Sequence, residues 1–159
     1  MSRMKIAWLS EGGYTGKVPR QATGNAGVLW AWMSNLEVDH YPILNFEKAP
    51  TDGYEYLILQ VPKTPEIREI LFNKDIVKEA RRIAKKILFF QEGPVWVYQD
   101  MPLEQQFWHY NTLVDVDLIF CENTTDISYY KGFVPGKPVT NLPDLIVDDT
   151  IKGVRDIKK

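Results

Sequence analysis

The chain has 159 residues, of which 45% are hydrophobic and 25% charged, so it can bury one substantial core, and disordered and fibrous classes are excluded. Its 19 Lys and Arg residues against 21 Asp and Glu residues give a net charge of -2, which argues against a general electrostatic affinity for nucleic acid or anionic membranes. The single cysteine, Cys121, cannot form an internal disulfide, and the apolar run near the start is too short for a membrane span, so we expect a cytoplasmic protein.

Continuous apolar runs predict the strands of a parallel sheet. The first run is Lys5–Leu9, a second strand is expected near residues 39–44, and the strongest run is Tyr56–Val61. Two later runs match it, Lys86–Phe90 and Asp117–Cys121. Because these runs are apolar throughout instead of alternating, we expect helices to cover both faces of the sheet.

Helix signals separate the predicted strands. Thr64-Pro65-Glu66 combines a capping residue with a proline in the first turn, and similar signals open the other segments. They predict helices at about residues 23–36, 64–84, 102–113 and 124–132, the second of them broken or split in two. Alternating strands and helices predict an α/β fold, a Rossmann-like three-layer sandwich with a mostly parallel sheet. We expect this domain at residues 1–145, with a linker or tail at 146–159.

Open parallel sheets bind ligands at the carboxyl ends of their strands, where the strand order reverses. With the common order 3-2-1-4-5-6, the first strand and the strand at 86–90 are neighbours, which predicts that the loops Glu11-Gly12-Gly13 and Gln91-Glu92-Gly93 face each other. Gly12 and Gly13 offer backbone N–H groups suited to phosphate or sugar hydroxyls, or they simply turn the chain.

Two nucleotide-binding motifs are absent from the first loop. A Walker motif needs Gly where Glu11 stands and Ser or Thr where Val18 stands, and the dinucleotide fingerprint also fails. The sequence therefore does not predict an ATPase or an NAD-dependent enzyme.

Candidate catalytic and binding residues cluster after the strand at 86–90. Glu92 follows that strand directly and is a candidate general base or hydroxyl acceptor; alternatively it caps a turn. Trp96 and Tyr98 are candidates to stack on a sugar ring. Gln99 and Asp100 are candidates to form hydrogen bonds with the hydroxyls of that ring. The alternative for the two aromatic residues is a place in the core.

Other chemistry-bearing residues receive weaker predictions. His109 is a candidate acid or base or, alternatively, a packing residue, and Cys121 is expected to be a small buried residue. Two histidines and one cysteine far apart in sequence give no zinc spacing, so no metal site is expected. The pair Asp115 and Asp117 precedes its strand and is expected at the wrong edge of the sheet for chemistry.

In order and spacing, several segments resemble the N-terminal half of GT-B glycosyltransferases, particularly those encoded by phages. The segments that carry the resemblance, and that together span nearly the whole chain, are Met4–Gly13, Phe89–Pro94, Gln99–Gln106, Asp117–Asn123, Asp126, Tyr129-Tyr130, Gly136–Val139 and Asn141–Asp144.

The resemblance implies the acceptor-side domain of an enzyme that transfers a sugar from a nucleotide-sugar donor to an acceptor hydroxyl. Such enzymes hold the donor mainly in a second domain, so this chain is expected to be inactive unless that domain is supplied in cis or in trans. The resemblance also implies that Glu11, Gly12 and Gly13 line the cleft towards the donor and that Glu92 and the segment 96–100 lie near the acceptor.

The hypothesised transfer needs a base and a group that stabilises the leaving diphosphate. Glu92 and Asp100 are the main candidates for the base, with Glu11 as a third, and the backbone N–H groups of Gly12 and Gly13 are candidates for the diphosphate. No metal or other cofactor is required in such a fold; the nucleotide sugar is a co-substrate.

Other functions stay open on the sequence alone. The chain could be a non-catalytic Rossmann-like module that binds a nucleotide or a sugar, or a flavodoxin-like or receiver-like domain, although Glu11 and Asp144 do not form the acidic set of a receiver. A DNA acceptor is conceivable for a phage enzyme, but the acidic balance does not support it.

Overall fold

The described strands form one sheet in the computed structural model, which describes residues 4–11, 16–17, 37–51, 53–62, 64–91 and 93–142. The strands are β1 (Lys5–Ser10), β2 (Gly16–Lys17), β3 (Glu37–Pro42), β4 (Tyr54–Val61), β5 (Ala84–Gln91), β6 (Leu118–Cys121) and β7 (Val139–Asn141). Their order is β2-β3-β1-β4-β5-β6-β7, and all neighbours run parallel except β2, which is antiparallel to β3. The predicted α/β, Rossmann-like fold is confirmed.

Helices connect the parallel strands of the described chain. They are a 3-10 helix at Ile43–Lys48 and the α-helices α1 (Pro65–Leu71), α2 (Ile76–Ala80), α3 (Trp96–Gln99), α4 (Leu103–Asp115) and α5 (Thr124–Phe133). The region 64–84 holds two short helices, as predicted, and Asp75 caps the second by accepting a 3.0 Å hydrogen bond from the Lys78 N–H. The helix predicted at residues 23–36 lies outside the described residues.

The strand order differs from the one assumed from the sequence. β1 lies between β3 and β4, so β5 is two strands away from β1 instead of next to it. The chain leaves β3 through the 3-10 helix and returns on the other side of β1 as β4, without adding another parallel strand outside β3. The prediction that Glu11-Gly12-Gly13 and Gln91-Glu92-Gly93 face each other from adjacent strands is therefore wrong: these segments follow strands that β4 separates.

Both faces of the sheet are buried, which explains the continuous apolar runs. One face carries a cluster of strand residues, namely Ile6, Trp8, Val38, Ile58 and Phe90. The opposite face carries a larger cluster that includes Ala7, Leu9, Leu57, Leu59, Ile87 and Phe89 together with side chains from every described helix. The described helices all pack on the side of this larger cluster.

At the amino edge of the sheet, the carboxylate of Asp117 links two neighbouring strands. Asp117 accepts hydrogen bonds from the Ile87 N–H at 2.8 Å, from Arg81 at 2.6 Å and from Lys86 at 3.0 Å. Burial raises the pKa of Asp117, but these three donors outweigh burial and lower the pKa to about 2. Asp117 therefore joins β5 to β6 at the edge opposite the candidate site, where the sequence placed it.

Candidate functional site

The carboxyl ends of the parallel strands lie at one edge of the sheet. In order across the sheet, the last residues of four neighbouring strands are Pro42 of β3, Ser10 of β1, Val61 of β4 and Gln91 of β5. Counting only parallel strands in chain order, the sheet order is 2-1-3-4-5-6, which reverses between β1 and β4. Successive connections leave to opposite sides at such a point, so the space between these two strand ends is the expected ligand crevice.

Glu11 and Thr64 are joined across this point. The Thr64 hydroxyl donates a 2.7 Å hydrogen bond to Oε2 of Glu11. Glu11 is exposed directly after β1, and Thr64 is half-buried just before α1. The sequence marks Thr64 as a helix cap, yet its side chain makes no capping hydrogen bond and binds Glu11 instead. The predicted cleft residue Glu11 is thus positioned by a residue that sequence reasoning gave a different role.

A second side-chain pair joins the ends of β1 and β3. Ser10 Oγ and His40 Nε2 lie 2.7 Å apart, and both side chains are buried. Ser10 Oγ also donates to the Glu11 carbonyl at 3.3 Å. Sequence reasoning missed this pair, since the two residues are 30 positions apart and belong to no local motif. The pair fixes the end of the strand from which Glu11 emerges.

Trp8, Gln60 and Phe90 pack on the same sheet face as Ser10 and His40. Trp8 Nε1 donates a 2.9 Å hydrogen bond to Gln60 Oε1, which partners a polar side chain inside β4. The rings of Trp8 and Phe90 meet edge to face with their centroids 5.9 Å apart. These contacts join β1, β4 and β5 near their carboxyl ends.

The bend that follows β5 is held by two carboxylates from the next strand and helix. The Gly93 N–H donates to Glu122 Oε2 at 3.1 Å, and the Val95 N–H donates to Asp126 Oδ2 at 3.1 Å. Gln91 Nε2 donates to the Gly93 carbonyl at 2.6 Å inside the same bend. Gly93 has a φ of 78°, a conformation that glycine adopts without strain. Asp126 is almost fully buried, so its carboxylate accepts hydrogen bonds from the protein and not from solvent.

Three residues predicted for the site lie outside the described residues. They are Glu92, predicted as the base, and Gly12 and Gly13, predicted to bind the donor. The structure describes Gln91 and Gly93, the residues on either side of Glu92. The N–H groups of Gly93 and Val95 donate to Glu122 and Asp126, respectively. The roles of these three residues stay predictions.

The predicted acceptor-binding segment forms α3 and separates its two aromatic residues. Side chains two positions apart on a helix point to nearly opposite sides, and Trp96 is 61% exposed while Tyr98 is 1% exposed. The Tyr98 hydroxyl donates to the Val61 carbonyl at 3.1 Å, so Tyr98 is the core residue that the sequence left open as its alternative. In this arrangement the Tyr98 ring offers no surface to a sugar, whereas Trp96, Gln99 and Asp100 are exposed.

His109 lies in the core beneath α3. Its ring stacks on Tyr98 with centroids 4.6 Å apart and an interplanar angle of 11°. Burial lowers the pKa of His109 to about 3, and the nearby charge of Arg68 acts in the same direction. Among the described residues, His109 Nε2 and the Nε and Nη1 atoms of Arg68 have no hydrogen-bond partner. His109 is therefore a neutral packing residue and not an acid or base at the surface.

Cys121 is buried, as predicted, at the end of β6. Burial raises the pKa of its thiol to about 11, and the charge of Asp126 adds to the effect. A thiol in this state is a poor nucleophile, which agrees with a packing role.

No protein-family model matches the sequence, and no curated protein matches it either. Within the described part of the chain, no helix combines the length and apolar composition that crossing a bilayer requires. The described residues also contain no group of three or more His, Cys, Asp or Glu side chains placed to hold a metal ion. The function of the carboxyl edge is therefore inferred from the positions and chemistry of its residues.

Proposed function

We propose that the chain is the acceptor-side domain of a GT-B-type glycosyltransferase. In this proposal it binds the molecule whose hydroxyl receives a sugar, while a second domain, in cis or in trans, holds the nucleotide-sugar donor. The observation that carries the proposal is the Glu11–Thr64 pair at the reversal point between β1 and β4. A carboxylate and a hydroxyl presented together there are groups that recognise sugar hydroxyls.

The hydrogen-bond capacity of the pair supports acceptor binding. Glu11 Oε2 accepts a hydrogen bond from the Thr64 hydroxyl, and carboxylate oxygens are strong hydrogen-bond acceptors. The Thr64 hydroxyl donates its one proton to Glu11, so its oxygen, like the carboxylate, is presented as an acceptor. Each sugar hydroxyl carries a proton that it can donate to such acceptors.

An exposed aromatic ring at the same edge also supports the proposal. The Tyr98–Val61 hydrogen bond holds α3 beside the end of β4, three residues before Thr64. On the outer side of α3, the exposed indole of Trp96 suits the apolar face of a sugar ring. Gln99 and Asp100 are exposed next to it and suit the hydroxyls.

In the proposed reaction, the acceptor oxygen forms a bond to the anomeric carbon of the donor sugar. The bond from that carbon to the nucleoside diphosphate breaks, and the diphosphate leaves with the bonding electrons. The hydroxyl proton passes to a carboxylate, for which Glu92 and Asp100 are the main candidates. The backbone N–H groups of Gly12 and Gly13 remain the candidates to stabilise the diphosphate.

A second candidate is a non-catalytic module that binds a nucleotide or a sugar. It is favoured by the hydrogen bond that Glu11 already accepts from Thr64, because such a carboxylate is arranged to recognise hydroxyls and not to remove their protons. A module that binds a nucleotide differs from an acceptor-side domain in having affinity for the nucleotide-sugar donor.

Calorimetric titration of the full chain, together with a donor assay, tests the proposal. The titrants are a panel of methyl glycosides and disaccharides and, separately, UDP-glucose and related nucleotide sugars; the assay measures nucleoside diphosphate release. An acceptor-side domain binds a saccharide, has little affinity for the donors and releases no diphosphate by itself. Nucleotide-sugar binding without saccharide binding would favour the binding module, and binding of neither would contradict both.

A matched pair of variants ties the binding to the site. Glu11→Gln removes the charge at the reversal point, whereas Glu69→Gln removes an exposed carboxylate on α1. The proposal expects the first variant to lose saccharide affinity and the second to keep it.

A further inference from the structure

Arg68 is a buried cation without an anionic partner in the described chain. It lies on α1 and is 8% exposed, and its Nε and Nη1 atoms are buried without a hydrogen-bond partner. No carboxylate of the described residues forms an ion pair with it, although Glu66 and Glu69 stand on the same helix. Arginine is seldom buried unless its charge is paired, so this position needs a physical reason.

The aromatic contact of Arg68 does not balance its charge. The guanidinium carbon lies 5.9 Å from the centroid of the Tyr98 ring, close to the limit of about 6 Å for such contacts. The attraction of a ring at this distance is small compared with the cost of taking a guanidinium out of water. The described side chains around Arg68 therefore leave its charge uncompensated.

Unpaired polar atoms of the described core gather around the Tyr98 ring. Three of the five buried side-chain nitrogen and oxygen atoms without a hydrogen-bond partner belong to Arg68 and His109, and both side chains contact this ring. The charge of Arg68 contributes to the lowered pKa of His109, so the histidine is neutral and supplies no counter-charge. Buried polar atoms in folded proteins are normally paired, so their concentration at one ring indicates a binding site.

Arg68 belongs to the same edge of the sheet as the Glu11–Thr64 pair. The Arg68 N–H donates to the Thr64 carbonyl at 3.1 Å, which places the two residues one helical turn apart. Side chains of an α-helix lean towards its N-terminus, and for Arg68 this is the direction of Thr64 and the carboxyl edge. The Tyr98 ring that Arg68 contacts is itself bound to the Val61 carbonyl at the end of β4.

We infer that Arg68 binds an oxyanion, a carboxylate or a phosphate, that the acceptor saccharide carries. A guanidinium is planar and presents parallel N–H groups, which match two oxygens of either group. The inference rests on the proposed function only for the ligand being a saccharide. The oxyanion site itself follows from the uncompensated charge of Arg68.

The spacing of the polar groups selects the class of saccharide. Side chains one helical turn apart have their Cβ atoms about 5–6 Å from each other, which is comparable with the width of one sugar ring. Glu11, held by Thr64, accepts a hydroxyl proton, while Arg68 binds the oxyanion. A sugar acid or a sugar phosphate carries both groups on a single ring, whereas a neutral sugar leaves the charge of Arg68 uncompensated.

The guanidinium has to become accessible before it binds an anion. Its Nε and Nη1 atoms are buried, and Tyr98 of α3 contacts it. Rotation about the flexible stem of Arg68 carries the guanidinium towards Thr64 without unfolding α1. Because this rotation changes what packs against Tyr98, the amide signals of α3 are expected to shift together with the Arg68 side chain when the oxyanion binds.

Calorimetric titration of the full chain with matched ligands tests the inference. The pairs are methyl glucoside with methyl glucuronide and methyl galactoside with methyl galacturonide, and glucose 6-phosphate supplies the phosphate. At least one anionic ligand should bind about ten-fold or more tightly than its neutral counterpart, because charge-assisted hydrogen bonds to a guanidinium are strong. The tighter anion distinguishes carboxylate from phosphate. Equal affinities throughout would overturn the inference and leave the acceptor-side proposal intact.

Variants assign the preference to one side chain. Arg68→Met removes the charge but keeps a long stem, so the preference for anionic ligands should disappear while neutral ligands bind as before. Its urea midpoint should equal or exceed that of the parent, since an unpaired buried charge is removed. Arg68→Lys keeps the charge without the planar N–H groups and should retain a weaker preference. Arg82→Met, at a half-exposed arginine paired with Glu79, is the control and should bind like the parent. A preference that survives Arg68→Met would overturn the inference.

The Arg68 Nε–H signal of the ¹⁵N-labelled parent separates this inference from the proposed function, and it needs no variant. Inorganic phosphate alone should shift that signal and the amides of α3. A phosphate shift at Arg68 without binding of any saccharide would support the oxyanion site and contradict the acceptor-side proposal. Saccharide binding with an Arg68 signal that neither phosphate nor any anionic sugar moves would overturn the inference and leave the proposal standing.

Discussion

The Thr64 hydroxyl donates a 2.7 Å hydrogen bond to the Glu11 carboxylate and links the ends of two parallel strands at the point where the sheet order reverses. The two residues are 53 positions apart, and the pairing of β1 with β4 brings them together. Because the pair is largely exposed to water, it contributes little to stability. Its consequence is the orientation of the carboxylate at the carboxyl edge of the sheet.

Replacing Thr64 by valine tests this orientation. Thr64→Val keeps the shape and removes the hydroxyl, so we expect the free energy of unfolding to change by less than about 1 kcal/mol. Saccharide affinity should fall several-fold, since Glu11 loses its positioning partner. Urea denaturation and calorimetric titration measure the two effects, and Thr140→Val, at an exposed threonine of β7, is the control. Unchanged affinity in Thr64→Val would show that the pair does not bind the acceptor.

Two neighbouring aromatic residues should separate binding from stability. Trp96→Ala removes an exposed ring and is expected to weaken saccharide binding with a change of less than about 1 kcal/mol in stability. Tyr98→Phe loses the hydrogen bond to Val61 and should cost about 1 kcal/mol without affecting binding. Thermal unfolding and saccharide titration of both variants check this. If Trp96→Ala left saccharide binding unchanged and Tyr98→Phe weakened it, Trp96 would not be part of the acceptor site.

The different exposures of Trp96 and Tyr98 show which features of this segment the sequence alone does not determine. Their types predict sugar stacking or core packing, but the choice depends on local geometry. Two residues at i and i+2 share a side in a strand and point apart in a helix. The segment follows a strand and forms the four-residue helix α3, so one ring is exposed and the other buried. So short a segment carries no periodicity from which the helix could be predicted.

Asp126 is expected to hold the backbone at residues 93–95, which follow β5. Asp126→Ala leaves the part-buried Val95 N–H without its acceptor and should lower the free energy of unfolding by about 1–2 kcal/mol. Hydrogen exchange at Val95 should accelerate more than exchange in the middle of β5. Asp126→Asn keeps an acceptor oxygen and should restore part of both properties. If exchange at Val95 is the same in Asp126→Ala as in the parent, the carboxylate does not hold the bend.

His109 is expected to make stability depend on pH below neutrality. Burial and the charge of Arg68 lower the pKa of His109 to about 3, against 6.5 for an ordinary histidine. Between these values the unfolded chain binds more protons, so this contribution to stability is complete above about pH 6.5 and is lost as the pH falls towards 3. One proton corresponds to a slope of up to about 1.4 kcal/mol per pH unit.

The His109→Phe variant isolates this slope. The phenyl ring retains an aromatic partner for Tyr98 but binds no proton. Urea denaturation between about pH 5 and pH 8 should show a flatter curve for the variant below pH 6.5 and parallel curves above it. Equal slopes below pH 6.5 would mean that the histidine takes up its proton in the folded chain.

Strand positions followed from the sequence, but strand order did not. The run Tyr56–Val61 predicted β4 because an apolar segment covered on both faces reads the same locally wherever it pairs. The neighbours of a strand depend on contacts distant in sequence: Trp8 with Gln60, and Ser10 with His40. The site residues, Glu11 among them, stay predictions, whereas the predicted adjacency of β1 and β5 was wrong, since β4 lies between them.

Mapping the amide chemical shifts of the ¹⁵N-labelled chain during a saccharide titration tests the central claim most directly. The largest shifts are expected at Ser10, Glu11, Thr64 and residues 96–100, all at the carboxyl edge, with little change at Lys86 and Asp117 at the opposite edge. Shifts concentrated at the amino edge would contradict it, as would a saccharide that binds without moving Glu11 and Thr64.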